Sequence, residues 1–295
     1  MIKLNKTPEP PSQPQAKTIK NKIEESSASA IPTINNKEKK IPHISYSALK
    51  NWDFCPFYHK LTYIDKIKIF NGNVYTAFGT ALHNTCEKLV YDNDLEYKSY
   101  FQESFKNEID KLDNISDKEY KLINDMKEQG NDLAALVLRA LDLNFPGYEV
   151  FSAEEKIIHP IPDVISEYNY KGFLDLVIKT PDNKYHIIDW KSCSWGWDMK
   201  RKTDKIVTYQ LTYYKNFFCL KHNLDPKTVE THFGLLKRTA KKNKIEIFRV
   251  SSGEKKINNS LKVLNKALYN IHNKNHPKNR LKCQKCDFNK TEWCP

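Results

Sequence analysis

The pattern of hydrophobic and polar positions divides the chain near its middle into a helical part and a part rich in strands. Upstream, apolar residues recur three or four positions apart in 76–92, and charged amphipathic segments fill 95–143, which predicts helices. A further helix is predicted in "HISYSALKNWDFCPFYHKL" (43–61), where Ser45 or Ser47 is a candidate N-cap. The first half of the fold is therefore predicted to be helical.

Downstream, the apolar positions change to patterns that are typical of strands. Three successive strands are predicted at 148–161, 166–180 and 184–193, with a turn at Pro181-Asp182-Asn183 before the third. A helix, a hairpin, a second helix and a cysteine-containing tail then follow at 204–223, 229–252, 254–274 and 281–295. Strands that alternate with helices, wrapped by N-terminal helices, predict an α/β architecture.

The composition of the first 40 residues differs from that of the rest of the chain. Residues 1–40 contain no aromatic residue, Gly or Cys, and are rich in Pro, Lys, Ser and Asn. Such a segment has too little apolar surface to offset the entropy lost on ordering, so it is predicted to be a disordered tail. One folded domain is predicted at 41–295, with a helical part, a sheet core and a C-terminal helix and cysteine segment at about 44–145, 148–252 and 254–295.

The chain has 48 basic and 36 acidic residues, which gives a formal net charge of +12. This excess favours a polyanionic partner, most often nucleic acid. No apolar run is long enough to cross a bilayer, and the N-terminus lacks the apolar core of a secretory signal. We therefore expect a cytoplasmic protein with no membrane partner.

Two predicted strands carry charged residues where a core strand is normally apolar. Asp175 lies inside "GFLDLVIKT", and "IIDWK" carries Asp189 and Lys191 two positions apart, on the same side of its strand. If the two strands pair antiparallel, Asp175 comes near Asp189. Neighbouring carboxylates repel each other unless a cation such as Mg²⁺ or Mn²⁺ lies between them. The alternative is an edge hairpin in which Asp189 and Lys191 form a solvated ion pair.

"GFLD" followed by "IIDWK" resembles the PD-(D/E)XK nuclease superfamily, and specifically its RecB-like exonuclease branch. The resemblance implies a restriction-endonuclease-like mixed sheet flanked by helices, and a histidine on a preceding helix, which matches His83 in "GTALHNTCE". It further implies that His83, Asp175, Asp189 and the backbone carbonyl of Trp190 bind Mg²⁺ or Mn²⁺. Lys191 would orient the attacking water and stabilise the phosphoryl charge.

The same branch has a Gln-x-x-x-Tyr signature on the helix after the lysine strand. Gln210 and Tyr214 match it in "VTYQLTYYKNF", and the resemblance implies that they hold the DNA strand. Glu155 resembles a further acidic position on the first strand, although the adjacent Glu154 is a rival for that position.

Four of the seven cysteines form a pattern that is typical of a metal or cluster site. They are Cys55, Cys283, Cys286 and Cys294, and proline follows both the first and the last. This set resembles the iron–sulfur staple of AddB-type and related RecB-like nucleases, which implies a structural 4Fe–4S cluster. A zinc ion bound by four thiolates remains the alternative, because the spacing suits both groups.

The resemblance and the charge together predict a metal-dependent DNA exonuclease in DNA recombination, repair or degradation. DNA with a free end is the expected substrate. A helicase or recombination protein is a possible partner, since the chain has no phosphate-binding GxxxxGK[ST] motif of its own. Two alternatives stay open, which are a DNA-binding module without independent catalysis and an RNA nuclease.

Overall fold

A computed structural model of the protein describes residues 41–92, 94–162 and 168–295. The tail predicted at 1–40 lies outside these residues. The helices are α1 (Tyr46–Phe54), α2 (Pro56–His59), α3 (Val74–Leu89), α4 (Tyr97–Ile109), α5 (Asp117–Ala134), α6 (Val137–Asn144), α7 (Met199–Thr203), α8 (Lys205–His222) and α9 (Glu254–His272). The strands are β1 (His43–Ser45), β2 (Glu149–Pro160), β3 (Asn169–Lys179), β4 (Tyr185–Cys193), β5 (Val229–Lys237) and β6 (Ile245–Arg249).

The six strands form one mixed sheet in the order β1-β3-β4-β5-β6, and β2 pairs with β3. β3 is antiparallel to β2 and β4, and β5 is antiparallel to β6. β4 and β5 are parallel, because α8 carries the chain back across the sheet between them. β1 is parallel to β3.

One edge of β3 is open in its middle, and this opening forms the site described below. β2 pairs along the whole of one edge of β3, so β1 and β4 must share the other edge. On that shared edge β1 pairs with 169–171 and β4 with 176–179. Residues 172–175 have no strand partner there, which leaves a gap between β1 and β4.

Helices cover both faces of the sheet and form two hydrophobic cores. Side chains of α1, α8 and α9 pack on one face, with Trp52, Phe217 and Leu264 among the buried residues. Side chains of α3, α4, α5 and α6 pack on the other face, together with Trp190 of β4. The predicted fold class, an α/β mixed sheet flanked by helices, is confirmed.

The ends of the main elements follow the sequence signals closely. Of the two candidate caps of α1, Ser45 accepts the Ala48 N–H, at 3.2 Å. Asp204 caps α8 in the same way through the Val207 N–H. β1 was not predicted, since its three residues are too few to show a pattern. Within the described residues, no helix is both long enough and apolar enough to cross a membrane.

Candidate active site

The two aspartates of the central strands lie where β3 and β4 separate. The ladder between these strands runs from the Lys179–Tyr185 pair to the Leu176–Ile188 pair and stops there. The next residues on each strand are Asp175 and Asp189. The Asp175 carboxylate oxygen Oδ2 accepts the Trp190 N–H at 2.7 Å, so a side chain replaces the next ladder bond. The expected antiparallel pairing, and the proximity of the two aspartates, are confirmed.

Asp189 is completely buried, and its two carboxylate oxygens have different partners. Oδ2 forms an ion pair with the Lys191 ammonium, two residues along the same strand. Oδ1 accepts a hydrogen bond from Gln210 Nε2 at 2.8 Å. The same Gln210 nitrogen lies 3.1 Å from the Tyr214 hydroxyl, one turn further along α8. Asp189 is therefore fixed from both β4 and α8.

His83 reaches the aspartates from α3, on the other face of the sheet. Its Nδ1 lies 3.4 Å from Asp175 Oδ2, and its ring also hydrogen-bonds to the Trp190 backbone. Gly79, one turn earlier on α3, allows this approach. A Cβ at Gly79 would lie 3.1 Å from the Ser192 hydroxyl on β4, which is closer than ordinary contact. All the residues predicted around the metal thus meet at the gap in β3.

Burial and charge shift the protonation equilibria of this group. Burial raises the pKa of Asp175, and it raises the pKa of Asp189 to about 6, although the Lys191 ammonium opposes both shifts. Burial, reinforced by Lys191, lowers the pKa of His83 to about 4, so its imidazole is neutral. Burial also lowers the pKa of Lys191, but the two aspartates outweigh it and raise the pKa above its usual value. Two crowded carboxylates beside a neutral imidazole are a donor set that suits a divalent cation.

Glu154, rather than Glu155, lies next to the aspartates. Ala153 and Glu155 pair with Leu176 and Leu174, so Glu154 occupies the position opposite Asp175. Its backbone is left-handed (φ 49°). Burial, followed by the charges of Asp175, Glu87 and Asp189, raises the pKa of Glu154 to about 7.

Glu155 has a different set of partners. Its Oε1 lies 2.7 Å from Lys221 Nζ and 2.6 Å from His222 Nε2, both at the end of α8. The structure therefore does not bring the Glu155 side chain to the aspartates. The alternation of inward and outward positions along a strand could not show which glutamate faces the aspartates, because the left-handed backbone at Glu154 interrupts that alternation.

Comparison with known proteins agrees with this geometry. The sequence model of the PD-(D/E)XK nuclease superfamily matches residues 43–295, which is most of the chain. The chain belongs to the PD-(D/E)XK nuclease superfamily. A search of curated protein sequences finds no significant match.

One solved structure of similar size aligns along nearly the whole of this chain. It is a protein named "putative exonuclease" from Eubacterium rectale, with a TM-score of 0.56 and 13% identity over 92% of this chain and 96% of that chain. At this identity the likeness shows a shared fold. A second structure, named SSO0001, covers 82% of this chain and 92% of its own at 16% identity, with a TM-score of 0.35.

Three residues of the nuclease near the aspartates were not predicted from the sequence. Tyr46 opens α1, and burial, followed by the charge of Asp189, raises its pKa. Lys50 lies one turn later, and burial, together with the charges of Arg201 and Lys191, lowers its pKa. Arg201 packs its guanidinium 4.4 Å from the Trp197 ring. The one-turn spacing of Tyr46 and Lys50 is the one sequence signal that places two of these three residues on the same side of a helix.

The four cysteines expected to form a cluster line one apolar pocket of the nuclease. Cys55 follows α1, whereas Cys283, Cys286 and Cys294 lie in the C-terminal segment, and Phe57, Leu61 and Phe288 complete the walls. The Asn279 N–H donates to the Cys55 sulfur at 3.3 Å. Burial, with the nearby sulfurs of Cys55 and Cys294, raises the pKa of Cys286. The fold thus brings together residues more than two hundred positions apart.

Proposed function

We propose that this chain is a metal-dependent deoxyribonuclease that degrades DNA from a free end. One observation carries the proposal: His83, Asp175, Asp189 and Lys191 meet at the gap in β3, and Asp175 lines a groove there. The groove runs past Ser45, Tyr46, Gly172, Phe173 and Tyr214. An open groove with crowded carboxylates and one ammonium suits hydrolysis of a polyanion.

The roles of the individual residues follow from their contacts. Lys191 carries a positive charge, so we infer that it orients water and stabilises negative charge on the phosphoryl oxygens, rather than accepting a proton. Gln210 is buried and holds Asp189, which makes it a positioning residue. Tyr214 lines the groove and is closer to where DNA would pass.

The donors fit a hard divalent cation, Mg²⁺ or Mn²⁺. His83, Asp175, Asp189 and the Trp190 carbonyl would hold it, and Glu154 is placed to assist from β2. A bound cation would polarise the phosphodiester and lower the pKa of a water molecule. The chain itself supplies the neutral imidazole and paired carboxylates that suit the cation, and the ammonium that suits a phosphate.

The surroundings of the groove suit a nucleic acid. Lys50 and Arg201 add positive charge beside Lys191, and the side chain of Lys171 lines the groove. Trp195, just beyond β4, is 75% exposed and could stack on an unpaired base. We propose free-ended DNA as the substrate, within recombination, repair or degradation in the cytoplasm, alone or with a helicase or recombination protein. The structural neighbour that is named "putative exonuclease" supports the exonuclease mode.

End-labelled linear DNA and covalently closed circles, single- and double-stranded, test the proposal in the presence of Mg²⁺ or Mn²⁺. The wild-type chain should degrade linear DNA only. Lys191→Ala should lose at least about 10²-fold in rate while it still binds DNA, because it removes transition-state charge stabilisation. Lys184→Ala is the matched control, since Lys184 lies on the turn before the same strand and its ammonium forms an exposed ion pair with Asp182. Its rate should equal that of the wild type.

Each other outcome selects an alternative. Cleavage of closed circles would make the enzyme an endonuclease, and faster cleavage of matched RNA would make it an RNA nuclease. Tight DNA binding without metal-dependent cleavage would favour a binding module or a nuclease that needs a partner.

We propose that the four cysteines bind a 4Fe–4S cluster that ties α1 to the C-terminal segment. A tetrahedral zinc site with bonds of about 2.3 Å needs sulfur atoms about 3.8 Å apart. In the described part of the chain, no three of the four cysteine sulfurs lie within 4.8 Å of one another. Among the described residues, the one set of three His, Cys, Asp or Glu ligand atoms that is this close contains no cysteine. The N–H bond to the Cys55 sulfur is of the kind that tunes iron–sulfur clusters, which supports the cluster over zinc.

Anaerobic purification followed by metal analysis distinguishes cluster from zinc. A brown protein with about four iron atoms per chain supports the cluster, whereas a colourless protein with one zinc that Cys286→Ser removes supports the alternative. Cys193→Ser is the control, because Cys193 lies on β4, outside the pocket. It should leave the metal content unchanged.

A further inference from the structure

Three side chains that carry potential metal ligands lie together at the start of β4 and β5. In the parallel ladder, His186 is opposite Glu230, and Ile188 is opposite His232. Residues two apart on one strand and directly opposite on its neighbour share a face, so all three ligand side chains project together. His186 precedes Asp189 by three residues, or about 10 Å of strand. The group is therefore separate from the candidate active site.

The ligand atoms of this group are close to the arrangement that a zinc ion requires. His186 Nδ1 and His232 Nε2 are 3.2 Å apart, and each lies 4.0 Å from Glu230 Oε2. Zinc bonds of 2.0–2.1 Å in a tetrahedron place ligand atoms about 3.3 Å apart. The two nitrogens already have this separation. The glutamate, whose side chain is 22% exposed, needs to move by less than about 1 Å.

Hydrogen bonding outside the group fixes the tautomer of His186. Its Nε2 lies 3.1 Å from the Thr180 hydroxyl oxygen. That hydroxyl has one hydrogen, which is directed to oxygen acceptors, at 2.5 Å to Asp182 Oδ1 and 3.3 Å to the Lys184 carbonyl. The hydroxyl therefore accepts the Nε2–H of His186, which leaves a lone pair on Nδ1, facing the other two ligands. Histidine ligands of metals are typically held by such an outer bond.

The alternative is a pair of neutral histidines joined by a hydrogen bond, with Glu230 serving only Arg249. Arg249 Nε lies 3.2 Å from Glu230 Oε2, but the Arg249 side chain is 64% exposed. An exposed ion pair of this kind is weak and easily displaced. The Phe145 ring covers the histidines, with its centroid 4.8 Å from His186 and 5.1 Å from His232. Glu230 is the most solvent-exposed of the three side chains, at 22%.

We propose that His186, Glu230 and His232 bind a zinc ion that clamps the first residues of β4 to those of β5. Two imidazoles and one carboxylate are an established zinc donor set that leaves a fourth position for water. In the described residues, this is the one group in which three His, Cys, Asp or Glu ligand atoms lie within 4.8 Å of one another. The proposal is independent of nuclease activity.

Zinc titration of the full chain against a competing chelator tests the proposal. Wild type should bind one more equivalent of zinc than Glu230→Gln or His232→Gln, because the cysteines and the candidate active site are unchanged in all three proteins. Thr180→Val should keep the equivalent but weaken it by about 10–100-fold, since only the outer bond is lost. His272→Gln, an exposed histidine at the end of α9, is the control and should bind as wild type does.

Crystals of the unmodified chain grown with zinc give a second readout that needs no variant. An anomalous peak bonded to all three side chains is expected. Equal zinc stoichiometry in the wild type and in folded variants, or a zinc-treated crystal without a peak between these side chains, would overturn the proposal. His186 and His232 would then be a hydrogen-bonded pair of neutral histidines that binds no metal.

Discussion

The position of Trp190 between Asp189 and Lys191 can be tested from the neighbouring strand by Gly234→Ala. Gly234 lies directly opposite Trp190 in the parallel ladder of β4 and β5. A Cβ at this position would lie 2.3 Å and 2.4 Å from two carbons of the Trp190 ring. Ordinary contact begins at 3.4 Å, so the ring or the β5 backbone must move by about 1 Å. Trp190 is buried, which leaves its ring little space to adjust.

The expected cost has two parts of opposite sign. Overpacking of a buried site costs about 1–3 kcal/mol. Alanine in a strand interior recovers about 0.5–1 kcal/mol relative to glycine, since less backbone entropy is lost on folding. Gly234→Ala should therefore lower the free energy of unfolding by up to about 2.5 kcal/mol. Activity should fall further, by about 10²-fold, because a shift of about 1 Å displaces both neighbours of Trp190 from the reacting phosphate.

Urea unfolding and metal-dependent cleavage of linear DNA measure the two effects separately. Gly253→Ala is the control, because a Cβ there meets nothing within 4 Å. A double-mutant cycle with Trp190→Phe isolates the clash, since the smaller ring lacks the carbons that would be struck. If Gly234→Ala costs as much beside Phe as beside Trp, the collision is not the cause and the reasoning fails.

Three further predictions concern separate parts of the molecule. Gln210→Met should slow cleavage by about 10-fold or more, with little change in DNA affinity, because it leaves a buried oxygen of Asp189 unpaired. Cys286→Ser should remove the iron and lower stability, by at most about 5 kcal/mol on loop-closure grounds, as followed by thermal unfolding. His59, whose pKa burial lowers to about 4, is neutral when folded. Its stabilising contribution is therefore complete above about pH 6.5 and is lost as the pH falls towards 4, which lowers the free energy of unfolding by up to about 3 kcal/mol. His59→Gln should reduce this pH dependence of stability, as measured by urea unfolding at several pH values.

Matched variants separate these effects from general damage. Gln102→Met, on an exposed position of α4, should cleave DNA as the wild type does. An increase in the DNA dissociation constant of Gln210→Met at an unchanged maximal rate would show that Gln210 binds DNA rather than positioning Asp189. Cys193→Ser should retain iron. His272→Gln should keep the full acid dependence, and the same dependence in His59→Gln would show that another group causes it.

The active-site strands were predictable because their signal is local. Asp175, Asp189 and Lys191 interrupt apolar runs, and one assumption about antiparallel pairing brings the aspartates together. The positions of Gln210 and Tyr214 on one face of α8 also follow from helical spacing. What the sequence did not show is that Gln210 is buried and bonds to Asp189, because this depends on how α8 packs on the sheet. Its proposed contact with DNA stays a prediction.

The features that were missed depend on long-range register. β1 has only three residues, and its pairing with 169–171 joins segments more than a hundred positions apart. The preference for Glu154 over Glu155 arises from a left-handed residue within β2, which no periodicity reveals. His186 and His232 meet only because α8 returns the chain parallel to β4, in a register that places 186 opposite 230. Local patterns carry no information on that register.

The cysteine segment and the candidate active site are linked through α1. This helix is held at one end by β1, which pairs with β3 beside the gap, and at the other by Asn279, whose side chain donates to the Phe54 carbonyl at 3.0 Å. Tyr46 and Lys50 both lie on α1 between these two ends, and Tyr46 lines the groove. Loss of the C-terminal anchor would free only the far end of α1, since β1 and the sheet remain paired. Removal of the cluster should therefore reduce the cleavage rate more than it reduces the free energy of unfolding. A chain that has lost the cluster but stays folded should also bind DNA less tightly.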